Sequence, residues 1–475
     1  MAKSKILVTT AIDYTNDVIH IGHAYQKILA DALVRHYRLK YGEDNVYFLT
    51  GTDEYGTTNE KAAKEAEVSP REHVDNISKK DQEQLDLLNI SYDRFIRTTD
   101  KDHMKTAQKF YSKAFENGDI YKGLYDGLYC NGCESAKTLS ELNEQGQCAL
   151  HPTKKIQQLK EENYFFKWSK YSKFILKQLS DPNFVLPEGK RKEMISFVEQ
   201  GLRDIPISRP KSKVSWGIDV PNDADQVIYV WFDALVSYFT GAKPVGFWDE
   251  NTKIIHILGK DNTRWHAVLW PAMLKSAGER LPDVVYVHDF ISLNGQKISK
   301  SLGNIIRPSD LVEKYGSDIT RYYFLKHGPV AGDADFTEDH LKKVYNADLA
   351  NGLGNTVARI AKLAENSGLS FEPVDFAEEK IINSSVFEPL KKYRADLVLA
   401  NIWRKLASLD KHINDNEPWK IKEKAKLHET LLYEITELRK IAFMLVPFVP
   451  VTAKKIQEQL DRSKIEATEP LFPRI

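Results

Sequence analysis

The chain has 475 residues, 42% hydrophobic and 28% charged, with Lys plus Arg equal to Asp plus Glu at 67 each. Zero net charge excludes non-specific coating of a polyanion, so any nucleic-acid partner must be held by local basic patches. Three cysteines exclude a disulfide framework, and the length calls for two to four domains, each with its own core.

The start, Met1-Ala2-Lys3-Ser4-Lys5, has no apolar export signal, and the apolar run at 441–451 is short and broken by Pro447 and Pro450. The expected location is the cytosol. The first hundred residues alternate apolar strands (6–10, 46–50) with amphipathic helices (21–41, 70–88). That alternation predicts a parallel sheet with crossover helices and a ligand site at the carboxyl ends of the strands. His20-Ile21-Gly22-His23 stands at the start of the first helix, where imidazoles and backbone N–H groups form an anion site. Gly22 lets a flat base approach the backbone. Asp53 also follows a strand end; it reads equally well as a helix cap or turn residue and as a ligand-binding carboxylate.

Tyr129-Cys130-Asn131-Gly132-Cys133 is followed, after fourteen intervening residues, by Cys148-Ala149-Leu150-His151. All three cysteines therefore lie beside a histidine at the spacing of a tetrahedral zinc site. Four protein ligands leave no position for water, so the expected metal is structural. The sheet is expected to resume between 214 and 290, with strands at 227–231, 254–258 and 284–287. Trp231, Tyr238, Trp265 and His266 cluster there. The segment Gly295-Gln296-Lys297-Ile298-Ser299-Lys300-Ser301-Leu302-Gly303 carries two lysines three apart on a glycine-bracketed loop, which suits a polyphosphate. Past Pro308 the pattern is helical. Thr337 is a candidate N-cap for a helix over 338–366, with further helices over 386–413, 421–445 and 451–460. Asn355 and Arg359 share a face of the first of these, and Trp419 follows Pro418 at a helix boundary. An amide, a guanidinium and an indole suit the reading of unstacked RNA bases.

The histidine and lysine motifs together resemble the two signatures of class I aminoacyl-tRNA synthetases. Ala11-Ile12-Asp13-Tyr14-Thr15-Asn16, Phe48-Leu49-Thr50-Gly51-Thr52-Asp53-Glu54, Tyr229-Val230-Trp231-Phe232-Asp233-Ala234 and Gly259-Lys260-Asp261 are similar to the methionyl branch of that family, over essentially the whole chain. The resemblance implies a Rossmann-like α/β catalytic domain (1–116 and 213–336) split by a connective insert with a zinc knuckle (117–212), and then an all-α anticodon-binding bundle (337–475). It implies activation of methionine by ATP, with Mg²⁺, and transfer to the 3′ end of tRNA(Met). His20, His23, Lys297 and Lys300 would be catalytic, and Gly22, Gly259, Asp261, Ser299 and Lys300 would bind ATP. Ala11, Ile12, Tyr14, Trp231, Tyr238 and His266 would line the methionine pocket, whose rings and phenols suit a thioether, while Asp53 would take the ammonium group. Cys130, Cys133, Cys148 and His151 would hold one zinc, and Asn355, Arg359 and Trp419 would read the CAU anticodon. The insert is too short for the editing domain of the branched-chain relatives, and the dimerising extension of some relatives is missing, so a monomer is expected. Three positions depart from the family pattern: Asp13 (usually proline or tyrosine), Tyr55 (histidine) and Asn262 (isoleucine). They leave room for a paralogue that activates an amino acid for another purpose.

Overall fold

The computed structural model describes residues 5–149, 154–298, 303–330 and 332–475. It divides into two compact units: Met1–Ile19 with Asn45–Gln84 and Tyr92–His288, and His20–Asp44 with Leu85–Ser91 and Asp289–Ile475. Among the described residues no helix is long and apolar enough to cross a membrane.

The first unit is built on a seven-stranded sheet: β1 (Lys5–Thr10), β2 (Asp13–Tyr14), β3 (Val46–Asp53), β4 (Arg94–Arg97), β5 (Val185–Leu186), β6 (Thr252–Gly259) and β7 (Val284–His288). Its order is β2-β3-β1-β6-β7-β5, with β4 also on β3, and every pairing is parallel. Leu7, Val8, Phe48, Leu49, Ile254 and Ile257 are fully buried, as unbroken apolar strands covered on both faces should be. Thr9 lies opposite Leu49 and Asp13 opposite Thr52, four residues against three. The extra residue makes a bulge at Ala11–Ile12, where the Ala11 N–H turns to the Ile257 carbonyl at 3.0 Å. Asp13 and Tyr14 then pair with Thr52 and Asp53 at the carboxyl end of β3.

Two expectations about this sheet are corrected. The run at 227–231 is not one of its strands: Asp223–Ile228 belongs to a separate antiparallel sheet with Ser208–Pro210 and Asp219–Val220, and Val230–Ala234 is a short helix. A buried strand and a buried helical turn are equally apolar, so periodicity over five residues does not separate them. Conversely β5, from inside the expected insert, forms the sheet edge, with Val185 opposite Val285. That insert also holds a four-stranded antiparallel sheet around the long pairing of Ile120–Cys130 with Ile156–Phe166, and the helices Ser172–Leu179 and Glu188–Glu199.

The second unit contains helix α1 (Ile21–Tyr41), a small sheet of Gln296–Lys297, Ile291–Leu293 and Ala334–Phe336, and the C-terminal helices. Asp31 of α1 and Arg321, both fully buried, form an ion pair at 2.6 Å. Burial alone would raise the Asp31 carboxyl, but Arg321, Arg35 and Ser91 hold it below its usual range. Thr337 caps its helix as expected, accepting from the His340 N–H at 3.1 Å. The helix runs on through a wider π segment, Tyr345–Gly354, before Asn355–Ser367, and ends at Gly368 with φ +64°. The helix expected from 386 begins only at Ala395, because Tyr393 takes φ +59° and breaks the helical path.

Candidate active site

His20 is the N-cap of α1. Its Nδ1 accepts from the Gly22 N–H at 3.0 Å, its own N–H donates to His23 Nδ1 at 3.3 Å, and the two rings stack at 3.9 Å. A side chain on Gly22 would start 2.8 Å from His20 Cε1, so glycine keeps that ring in place. No acidic residue occupies the first turn of α1, which leaves its positive end uncompensated. The Ile21 N–H donates to the Ile306 carbonyl at 3.0 Å, which brings the segment beyond the lysine loop back to the start of α1. The loop leaves a two-residue turn, Asn294-Gly295, both at positive φ, with Leu293 opposite Gln296. Lys297 is exposed, and its carbonyl accepts from the Asn304 amide at 3.0 Å. Ser299 and Lys300 lie outside the described residues. Gly259 ends β6, and Asp261 sits on the exposed turn after it. A Cβ at Gly259 would lie 2.9 Å from Asp261 Oδ1.

The expected methionine-pocket residues all belong to the first unit, around the β1 bulge. Ala11 is buried and Ile12 half-buried. Tyr14 donates to the Tyr55 carbonyl at 2.9 Å, under Gly56, where φ is +98° and any Cβ would strike the phenol. Tyr55 packs against Trp216, so the departure at this position keeps an aromatic wall. Trp231 stacks on Trp265 at 4.7 Å, and its indole N–H donates to the Cys133 carbonyl at 3.3 Å. His266 Nδ1 lies 3.0 Å from the Asn262 carbonyl, which can only accept, so Nδ1 carries the proton and Nε2 accepts from Tyr238 at 2.7 Å. Burial holds the His266 imidazole down at about 4, so it is neutral at pH 7. The departure at Asn262 therefore leaves its main chain free to orient this ring. Both phenols have already donated their protons, to Tyr55 and to His266, so neither O–H is left to donate to a further group.

Asp53 ends β3 and is buried. The N-cap of the following helix is Gly56, so Asp53 is not a cap, and its Oδ1 has no hydrogen-bond partner among the described residues. Glu54 beside it is matched by a bidentate Arg97 at 2.6 and 2.9 Å. Two further carboxyls were missed by sequence reasoning. Glu134, next to Cys133, accepts from the Thr58 N–H at 2.7 Å and from the Tyr129 hydroxyl at 3.2 Å. Asp233, two residues after Trp231, is fully buried. Burial, reinforced by Asp233, Glu134 and Glu54, pushes Asp53 well above the carboxylate range. Buried acids in excess of cations, with an orphaned oxygen, make a receptor for a positively charged group.

The sulfur atoms of Cys130, Cys133 and Cys148 lie within 4.8 Å of one another and can hold a metal ion. Cys130 ends the strand Ile120–Cys130, and Cys148 bridges back to Leu142. Burial pushes the Cys133 thiol up to about 12, a cost that a cation bound to the thiolates would reverse. His151 lies outside the described residues. In the second unit, Arg359 lies 5.0 Å from the centre of the half-exposed Trp419 ring and donates to Asn414 Oδ1 at 2.7 Å. Asn355 is exposed one turn before Arg359 on the same helix.

A histidine-capped helix whose start is joined by the segment beyond a lysine-bearing loop accords with the class I tRNA synthetases. The family model of that class, tRNA synthetases class I (M), matches residues 6–158 and 133–361. Methionine–tRNA ligase of Caldanaerobacter subterraneus subsp. tengcongensis is 38% identical, covering all of this chain and 79% of the relative. That of Synechocystis is 39% identical, covering 95% and 89%. Mycobacterium tuberculosis methionyl-tRNA synthetase in complex with methionyl-adenylate superposes with a TM-score of 0.89 at 33% identity, over 100% of both chains. The chain belongs to the methionine–tRNA ligase family.

Proposed function

We propose that this chain activates methionine with ATP to methionyl-adenylate and transfers the methionyl group to the 3′ end of tRNA(Met). The observation that carries the reading is Asp53: a buried carboxyl with an orphaned oxygen, at the end of a parallel strand and beside an aromatic pocket. An α-ammonium supplies the missing donors. Ala11, Ile12, Tyr14, Trp231, Tyr238 and His266 surround the side chain, and ring faces suit a polarisable sulfur.

His20, Gly22 and His23 receive ATP at the start of α1, with Gly259 and Asp261 holding the nucleoside and Lys297, Ser299 and Lys300 the phosphates with Mg²⁺. The methionine carboxylate attacks the α-phosphorus and pyrophosphate leaves. The terminal ribose of tRNA then takes the acyl group and releases AMP. No side chain acts as a covalent nucleophile. The rate comes from positioning and from cations aimed at the charge that develops on phosphorus. Cys130, Cys133, Cys148 and His151 hold one zinc that closes the knuckle, and Asn355, Arg359 and Trp419 read the anticodon. Pyrophosphate exchange with each of the twenty amino acids tests the reading. Methionine alone should support rapid exchange, and tRNA(Met) should be charged; exchange with another amino acid, or no charging, would overturn it.

A further inference from the structure

Asp53 is fixed at its main chain. Its carbonyl accepts from the Thr15 N–H at 3.2 Å, from the Thr15 hydroxyl at 3.3 Å and from the Asn59 side-chain amide at 3.1 Å. The same amide donates to the Tyr55 carbonyl at 3.0 Å. Between the two, the Glu54 carbonyl accepts from the Trp216 indole at 2.7 Å. All of these groups belong to the first unit. Asn59 lies in the first turn of the helix Thr57–Glu65 and is fully buried. The N-cap of that helix, Gly56, has no side chain to give. The turn out of β3 is closed instead by an amide that reaches back from inside the helix.

Both carbonyls can only accept, so the Asn59 nitrogen faces them and both of its hydrogens are committed. The oxygen of the same amide has no hydrogen-bond partner among the described residues. A leucine, branched at the same carbon, would bury no unpaired oxygen, so packing does not account for an amide here. Its two donors do. The β3 ladder sets one side of Asp53, with Tyr14 opposite it, and the Asn59 bond sets the peptide on the other side. With both flanking peptides held, φ and ψ are held, and with them the direction of the Cα–Cβ bond. We propose that Asn59 is a positioning residue of the ammonium site, which aims the Asp53 carboxyl at the substrate amine through the Asp53 and Tyr55 carbonyls. This rests on the reading of Asp53 as the ammonium carboxylate and adds the residue that holds it in place.

The test uses two ligands that differ only in the amine. L-Methioninol keeps the thioether and the ammonium group, and 4-(methylthio)butan-1-ol lacks the latter. Neither has a carboxylate to activate, so calorimetry reads binding without chemistry. The parent should bind methioninol the more tightly. In Asn59→Leu the dissociation constant of methioninol should rise about tenfold or more, on the scale of a charged hydrogen bond put out of line. That of the alcohol should hold, as should the KM for ATP in pyrophosphate exchange. In an Asp53→Ala background Asn59→Leu should bring no further loss, because the group it aims is gone. Should the leucine variant fail to fold, Asn59→Ala removes the same donors and carries the same expectations. Equal losses for both ligands, an unchanged ratio in a folded variant, or a further loss in the double variant would assign Asn59 to packing and overturn the proposal. A methioninol preference that survives Asp53→Ala would instead sink the reading of Asp53 itself, and this proposal with it.

Discussion

Tyr238 gives its phenol proton to Nε2 of His266 at 2.7 Å, and the Asn262 carbonyl fixes the tautomer that makes this possible. Both side chains are almost fully buried, so neither has water to fall back on. Tyr238→Phe leaves a buried imidazole nitrogen unsatisfied at a cost of about 1–3 kcal/mol. The KM for methionine in pyrophosphate exchange should rise about five- to tenfold, on the scale of one lost hydrogen bond, while that for ATP holds. A variant with unchanged methionine KM would detach this pair from the pocket. The pair also sets an acid limit. The imidazole titrates near 6.5 when unfolded and near 4 when folded, so its contribution is present above 6.5 and is lost as pH falls toward 4.

Metal removal makes a second prediction. Protein purified without chelator should carry one zinc, and Cys148→Ser should carry less than one. The Cys133 carbonyl accepts from the Trp231 indole, so a loosened knuckle withdraws a support from the pocket wall. Stripping the zinc should therefore raise the methionine KM about tenfold, on the scale of lost metal-shell contacts, and re-addition should restore it. Full activity in zinc-free protein would confine the metal to the insert.

Glu434 sets an alkaline limit in the helical unit. Its side chain is fully buried beside His412 Nδ1 at 3.3 Å, and burial raises its carboxyl to about 7, against the lowering effect of Arg359. The folded state therefore holds a proton that the unfolded state releases near 4.5. Stability falls as pH rises from about 4.5 to 7, by at most about 1.4 kcal/mol per pH unit. Glu434→Gln keeps the shape without the charge, so its melting temperature should gain on the parent's between pH 5 and pH 8. A constant difference across that range would show that Glu434 does not titrate there.

What was legible in the sequence was whatever depends on neighbours in the chain. The alternation of strands and helices, the helix start at His20–His23, the cysteine cluster and the Thr337 cap each need only a few consecutive residues. The misses depend on distant partners. Val230–Ala234 reads as a strand because an apolar pentapeptide has no period of its own. Val185–Leu186 is too short to announce itself, and only its pairing with β7 makes it a sheet edge. Glu134 and Asp233 look like ordinary surface acids until folding buries them, and the phenols' commitments to Tyr55 and His266 are a matter of geometry alone.

The last prediction concerns tRNA. The Trp419 ring is half-exposed, with the Arg359 guanidinium 5.0 Å from its centre, so a flat cation already stacks where a base would. Removing the indole should cost a stacked base ~1–3 kcal/mol of tRNA binding. Arg359→Ala should cost a similar amount, because a guanidinium held by Asn414 and Trp419 is preorganised for a base edge or a phosphate. Adenylate formation needs no anticodon, so neither change should alter pyrophosphate exchange. The losses should appear in the tRNA concentration dependence of charging, and be larger for a CAU anticodon than for a mismatched one. A paralogue serving a small-molecule pathway would charge no tRNA and would be indifferent to both substitutions. Equal charging by the parent and Trp419→Ala across tRNA concentrations would remove the indole from recognition and place the reading of the anticodon elsewhere on the bundle.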